Sequence, residues 1–181
     1  MNKFPAFFLL FVALALTNVA AQSTDAAELS FLFTRQTGSA SNQFAVWIED
    51  AQGRYVKTLY ATRYTVNGGW KQRETSIPLW VKKSNLANMT KAQVDSLTGA
   101  TPRTGIITYR WDGMDNRNTA LPPGNYVIYL EATLRWANQV LYSAPIRLGQ
   151  GPATPEVKAE YTGDPGAERE MINTVVVKTL R

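Results

Sequence analysis

Gln43-Phe44-Ala45-Val46-Trp47-Ile48-Glu49-Asp50-Ala51-Gln52-Gly53-Arg54-Tyr55-Val56-Lys57-Thr58-Leu59-Tyr60-Ala61 is the stretch that decides the architecture. Phe44, Val46 and Ile48 fall on one face of an extended segment and Ala45 and Trp47 on the other, the two-residue period of a β-strand. Asp50-Ala51-Gln52-Gly53 interrupts the alternation. Asp opens a turn by accepting bonds from the backbone just ahead of it, and Gly accepts a positive φ. The alternation resumes from Tyr55 to Ala61, so the whole stretch reads as a hairpin.

The same pattern recurs outward in both directions. Leu29–Thr34, Ile106–Trp111, Tyr126–Arg135, Leu141–Leu148 and Thr174–Leu180 bring the set to about seven strands. Leu121-Pro122-Pro123-Gly124-Asn125 precedes the longest of them, and paired prolines, which cannot donate to a ladder, mark its beginning. Asn138-Gln139 is expected to turn Tyr126–Trp136 back into Leu141–Leu148. Short strands separated by turn residues predict an all-β fold, an Ig-like antiparallel β-sandwich.

Two segments depart from the alternation. Residues 62–105 form a long excursion with Asn67-Gly68-Gly69, a basic aromatic stretch and one short helix. Thr90 caps that helix, Lys91–Leu97 are its turns and Gly99 ends it. Long excursions inside compact sandwiches tend to carry function. Residues 149–170 are rich in Pro, Gly and acidic side chains and read as an exposed connection before a last strand around Val175-Val176-Val177. There is no internal repeat and no low-complexity tract.

Composition narrows the chemistry. The 181 residues are 45% hydrophobic and 18% charged, values that suit a packed core rather than disorder. Cys and His are both absent. That excludes disulfides, thiol catalysis, Cys/His zinc sites, iron–sulfur clusters, imidazole bases and Ser-His-Asp triads. A metal would need oxygen ligands, and none is assigned. The formal net charge of +5 is mild and lacks a clustered basic stripe, so nucleic acid is not an expected partner.

Residues 1–21 read as a secretory signal peptide, with Lys3 as the positive region and Val19-Ala20-Ala21 as the small-residue cleavage site before Gln22. The apolar run Phe4–Leu16 is shorter than the roughly 20 residues of a membrane span. No Cys follows for lipid attachment. Residues 22–181 are then one exported domain, expected in the periplasm.

Asp95-Ser96-Leu97-Thr98-Gly99-Ala100-Thr101 is the stretch most open to a chemical reading. Its structural reading is a helix stop: Leu97 packs inward, Gly99 takes the left-handed position after the helix, and Pro102 blocks continuation. Nearby, Arg63, Tyr64, Trp70, Lys71, Arg73, Trp80, Lys82 and Lys83 interleave positive charge with aromatic rings. They either receive a phosphate and an aromatic ligand or an acidic partner, or the two tryptophans pack on the sandwich while the charges are solvated. Other signals are weaker. Asp112, Asp115 and Asn116 miss the EF-hand spacing, and Asn88-Met89-Thr90 is a glycosylation sequon by letters only. Glu49-Asp50 and the Glu168, Glu170 pair fall on expected turns, with nothing to set carboxylates across a cleft for hydrolysis.

Two stretches resemble the Ig-like domain of bacterial flagellar hook-assembly proteins. One is Val46–Leu59. The other runs from Tyr109-Arg110-Trp111-Asp112-Gly113-Met114-Asp115-Asn116 through Leu121-Pro122-Pro123-Gly124-Asn125-Tyr126, with Asn118 where that family has Gly, an exchange that positive φ tolerates. The wider order of signal peptide, strands, Trp80 excursion, Asp95-to-Pro102 motif and Trp111-Asp112-Gly113-Met114-Asp115 resembles a family of predicted periplasmic bacterial proteins of unknown function. That likeness covers most of residues 28–148.

Asp95–Thr101 also resembles the acceptor signature of proteins that carry covalent flavin: Asp, two free positions, Ser or Thr, then Gly-Ala-Thr. The resemblance implies that a flavin transferase joins the phosphate of flavin mononucleotide (FMN) to the Thr101 hydroxyl, recognising Asp95 and Thr98. Gly99 and Ala100 would leave room for the transferase, and backbone N–H groups near Gly99 would help hold the phosphate. The expected function is a non-enzymatic, exported accessory protein of a membrane-associated redox system, with a flavin transferase and a redox protein as partners. The alternative is a structural or interaction module that binds another cell-envelope protein without a cofactor.

Overall fold

The computed structural model describes residues 26–37, 40–164 and 166–181; the signal peptide expected at residues 1–21 lies outside them. The strands are β1 (Ala27–Phe33), β2 (Ala40–Asp50), β3 (Tyr55–Thr62), β4 (Thr98–Gly99), β5 (Gly105–Trp111), β6 (Gly124–Arg135), β7 (Asn138–Leu148), β8 (Lys158–Thr162) and β9 (Ile172–Thr179). They form a three-stranded sheet in the order β5-β1-β9 and a six-stranded sheet in the order β4-β3-β2-β6-β7-β8. Every pairing is antiparallel except β3 with β4. The two sheets pack as a sandwich, as the alternation predicts.

The β2–β3 turn is built as its residues dictate. Gly53 takes φ +72°, its N–H donates to the Asp50 carbonyl at 2.9 Å, and Asp50 Oδ1 accepts from the Gln52 and Arg54 N–H groups, each at 2.9 Å. Phe44, Val46 and Ile48 then enter the interior beside Phe31, Phe33, Trp111, Ile128 and Leu130. Within that interior the Tyr60, Phe44 and Tyr109 rings form a cluster, Tyr60 stacking on Phe44 at 4.9 Å and on Tyr109 at 4.8 Å, with Phe44 and Tyr109 6.3 Å apart.

The opposite face of the large sheet is buried as well. Ala45 and Trp47 pack against Val66, Ile77, Trp80 and Leu86 of the excursion, which makes a third layer. Side chains from the strands hold that layer by its backbone. Glu131 accepts the N–H groups of Leu79 at 3.0 Å and Trp80 at 2.7 Å. Thr133 Oγ1 accepts the Ile77 N–H at 2.9 Å and donates to the Thr75 carbonyl at 2.7 Å. Burial pushes the Glu131 carboxyl up to about 7, against the pull of the two N–H groups it accepts. Glu49 is likewise buried, accepting from Trp47 Nε1 at 2.9 Å and Lys83 Nζ at 2.8 Å. It belongs to the end of β2 rather than to the turn expected for it.

Four further expectations need correction. The excursion holds more than one helix: α1 (Trp70–Gln72), α2 (Pro78–Lys83) and α3 (Lys91–Leu97), with a π-type turn at Thr65–Gly69 and a 3₁₀ turn at Leu86–Asn88. All but α3 are too short to show a 3.6-residue period. α3 matches the expected helix, and Thr90 caps it through a capping box with Gln93. The excursion also contains β4. Residues 149–170 are not wholly a connection, because β8 pairs with β7 from Gln139↔Thr162 to Ser143↔Lys158. Four of its five side chains are exposed, so it carries no hydrophobic alternation to be read. Finally, the β6–β7 turn lies at Trp136-Ala137, two residues before Asn138-Gln139, with Trp136 in a left-handed conformation at φ +52°.

Candidate functional site: an arginine-lined cleft

At the end of the sandwich where β1 and β3 run out, a cleft of about 560 Å³ is lined by Arg35, Arg63, Tyr64, Asn67, Gln72 and Thr101, with Gly69 and Ala100 completing it. Strand pairing assembles it. Phe33 of β1 sits opposite Gly105 of β5, and the Arg35 N–H donates to Thr104 Oγ1 at 3.0 Å, which brings Arg35 beside the Thr101 segment. The parallel pairs Ala61↔Thr98 and Thr62↔Gly99 carry the same segment alongside the exit of β3, where Arg63 and Tyr64 follow. Asn67 comes from the π-type turn and Gln72 from α1.

The cleft is cationic. Among the described residues neither Arg35 nor Arg63 has an acidic partner, and no carboxylate is in the lining. Tyr64 is 45% exposed and its ring lies directly on Gly69, where a Cβ would stand 2.5 Å from the ring carbon Cε1. Thr101 is half-buried, and its hydroxyl has no hydrogen-bond partner among the described residues. The arrangement offers two guanidinium forks, two carboxamides, an aromatic face and a free hydroxyl, a set that suits a phosphorylated aromatic ligand.

Of the Asp95–Thr101 stretch, only Ala100 and Thr101 reach the cleft. Asp95 is exposed on α3, and the Thr98 hydroxyl donates to the Asp95 carbonyl at 3.3 Å. Leu97 packs inward against the third layer as expected. Gly99 does not take the left-handed position after the helix; the chain turns extended at Thr98 (φ −89°, ψ 134°) and enters β4. Glycine is needed there for space, since a Cβ at Gly99 would lie 2.3 Å from Tyr60 Cε2. The Tyr60 hydroxyl donates to the Ala100 carbonyl at 2.9 Å. The backbone leading to Thr101 is therefore held against a core aromatic residue, with the Gly99 and Ala100 carbonyls turned to the Tyr60 hydroxyl. The positive charge facing Thr101 comes from side chains.

The basic aromatic stretch divides three ways. Trp80 is buried and Trp70 packs beside it. Lys83 pairs with Glu49 at 2.8 Å, Lys71 Nζ lies 5.3 Å from the Trp70 ring centre, and Arg73 donates to the Trp136 carbonyl at 3.0 Å. Arg63 and Tyr64 alone of the set enter the cleft. Arg35, Asn67 and Gln72 were not singled out in the sequence. Arg35 is brought in by the β1–β5 register, and Asn67 shows in the sequence only as a turn residue.

The aspartates after β5 build turns. Asp115 Oδ1 accepts from the N–H groups of Thr119 at 2.9 Å and Arg117 at 2.8 Å, and these bonds hold its carboxyl below the usual carboxylate range. Asn118 takes the positive φ of +58° expected of it. No group of three or more acidic side chains converges among the described residues, and none of their helices is long and apolar enough to cross a membrane.

Comparison with curated proteins returns no match. A family model described as "Predicted periplasmic protein (DUF2271)" matches residues 27–165, from the start of β1 through β8 and so across the whole cleft. With well over half of its length matched, the chain belongs to DUF2271, a family of predicted periplasmic proteins.

Proposed function

We propose that the protein is an exported, non-enzymatic carrier that bears FMN covalently on Thr101 and serves a membrane-associated redox system of the cell envelope. One observation carries the reading: an unpartnered hydroxyl stands on the wall of a cleft whose charge comes from two unpaired arginines. The acceptor-like sequence ending at that hydroxyl supports it, as does the exposure of Asp95, which leaves that side chain open to a transferase.

In the attachment step Thr101 Oγ1 attacks the flavin-side phosphorus of a flavin-bearing pyrophosphate. The new Oγ1–P bond forms as the pyrophosphate O–P bond breaks. The nucleoside monophosphate half leaves with that electron pair, and the hydroxyl proton passes to a base of the transferase. The bound flavin would supply the redox chemistry; this chain would hold it and set two cationic side chains beside its phosphate.

Co-expression with a flavin transferase should give in-gel flavin fluorescence and a covalent mass increment, both lost in Thr101→Ala. A colourless, unmodified wild type would remove the redox reading, and a fluorescent Thr101→Ala would show another acceptor. The rival reading, an interaction module for another cell-envelope protein, draws on the exposure of Ile106 at 79% and Trp136 at 64% and on the hook-assembly likeness of Val46–Leu59. An unmodified wild type would favour it.

A further inference from the structure

We infer that the cleft is a phosphate-monoester site in its own right, in which Arg35 and Arg63 grip the phosphate of FMN and Tyr64 carries its ring, with no need of the covalent bond. The choice of ligand rests on the reading of Thr101 as acceptor; the site itself rests on the cleft. A cleft of about 560 Å³ lies within the range of small-molecule sites. Two guanidinium groups that line one cleft repel one another, and a dianion bound between them removes that repulsion.

Each guanidinium presents a planar fork that matches two phosphate oxygens, and arginine is weakly hydrated enough to give up water for them. Among the described residues no acidic side chain competes for either one. Asn67 and Gln72 add carboxamides to the lining. The Tyr64 ring, seated on Gly69 so that its tilt is set by the backbone, offers a flat half-exposed surface for an aromatic ring. Free FMN in the cleft is not the donor for attachment, which needs the pyrophosphate; once the flavin phosphate has been transferred to Thr101 Oγ1, the same two arginines line the cleft beside the ester.

The test uses protein made without a transferase, so that Thr101 is unmodified, and Thr101→Ala beside it. FMN is titrated against riboflavin, which has the same ring and no phosphate, by flavin fluorescence. Saturable FMN binding is expected in both proteins, with riboflavin at least about tenfold weaker and inorganic phosphate competing. Arg35→Ala and Arg63→Ala should each weaken FMN about tenfold, the loss of one charge-assisted pair at a partly solvated site, and leave riboflavin unchanged. Arg103→Ala, at an exposed arginine outside the cleft, should change neither.

Equal binding of FMN and riboflavin would overturn the inference, as would FMN binding indifferent to both arginines or absent altogether. Failure of covalent attachment is a separate result, read from mass with the transferase present. FMN held reversibly by a protein that is never modified would sink the carrier reading and leave the cleft standing.

Discussion

Gly99→Ala should destabilise the protein, and it should do so through Tyr60 alone. The added Cβ would meet Tyr60 Cε2 at 2.3 Å, where ordinary contact begins near 3.4 Å, so more than 1 Å must be found. Tyr60 is hindered from swinging aside, because its ring packs against both Phe44 at 4.9 Å and Tyr109 at 4.8 Å, which also pack against each other at 6.3 Å. Its hydroxyl is also tied to the Ala100 carbonyl. The remaining route is displacement of β4, which breaks the short parallel pairing to Ala61 and Thr62. Overpacking of this kind costs about 1–3 kcal/mol. Backbone strain does not enter, since Gly99 is not among the glycines with positive φ. A double-mutant cycle isolates the cause: urea unfolding of wild type, Gly99→Ala, Tyr60→Leu and the pair. In the Tyr60→Leu background the added methyl has space, and its cost should fall below about 0.5 kcal/mol, leaving a coupling of about 1–2 kcal/mol. An undiminished cost in that background, or no cost in the wild type, would refute the steric argument. Under the proposed acceptor role of Thr101, the single variant should also take up less covalent flavin, because β4 leads into Thr101.

Glu131 makes stability depend on pH. Its carboxyl is raised from 4.5 to about 7 in the folded protein, so the folded state binds the proton more tightly and its contribution, fully present below about 4.5, is lost as pH rises through 7. Unfolding midpoints should fall across that window by the equivalent of at most about 3 kcal/mol, and Glu131→Gln should flatten the slope; an equal slope in the variant would reassign it. Lys83→Met should destabilise by about 1–3 kcal/mol, because the Glu49 side chain is only 3% exposed and would keep an uncompensated charge. Lys57→Met should cost less by the same denaturant assay, since its partner Asp112 is 34% exposed.

Much of the sandwich was legible in the chain itself. Phe44, Val46 and Ile48 alternate with Ala45 and Trp47 because a strand puts neighbours on opposite faces, and the turn at Asp50–Gly53 is written in residues that allow only a few backbone shapes. The capping box at Thr90 and the positive φ of Asn118 were legible for the same local reason. What the third layer does was not. Trp47, Glu49, Glu131 and Thr133 look like an ordinary outer face until α2 is seen lying on them, and α2 is too short to have a period. The edge strand β8 was hidden too, because backbone pairing needs no side-chain pattern.

The site divides along the same line. The sequence by itself determined that a hydroxyl-bearing Gly-Ala-Thr follows a capped helix, and that charge and aromatic rings cluster some thirty residues before it, since both are local facts of composition and order. Only the tertiary structure decided that Arg35, from the far side of the chain, faces Thr101 together with Arg63, and that Gly99 is glycine to make room for Tyr60. Those contacts follow from strand register and close packing, which depend on the whole fold at once.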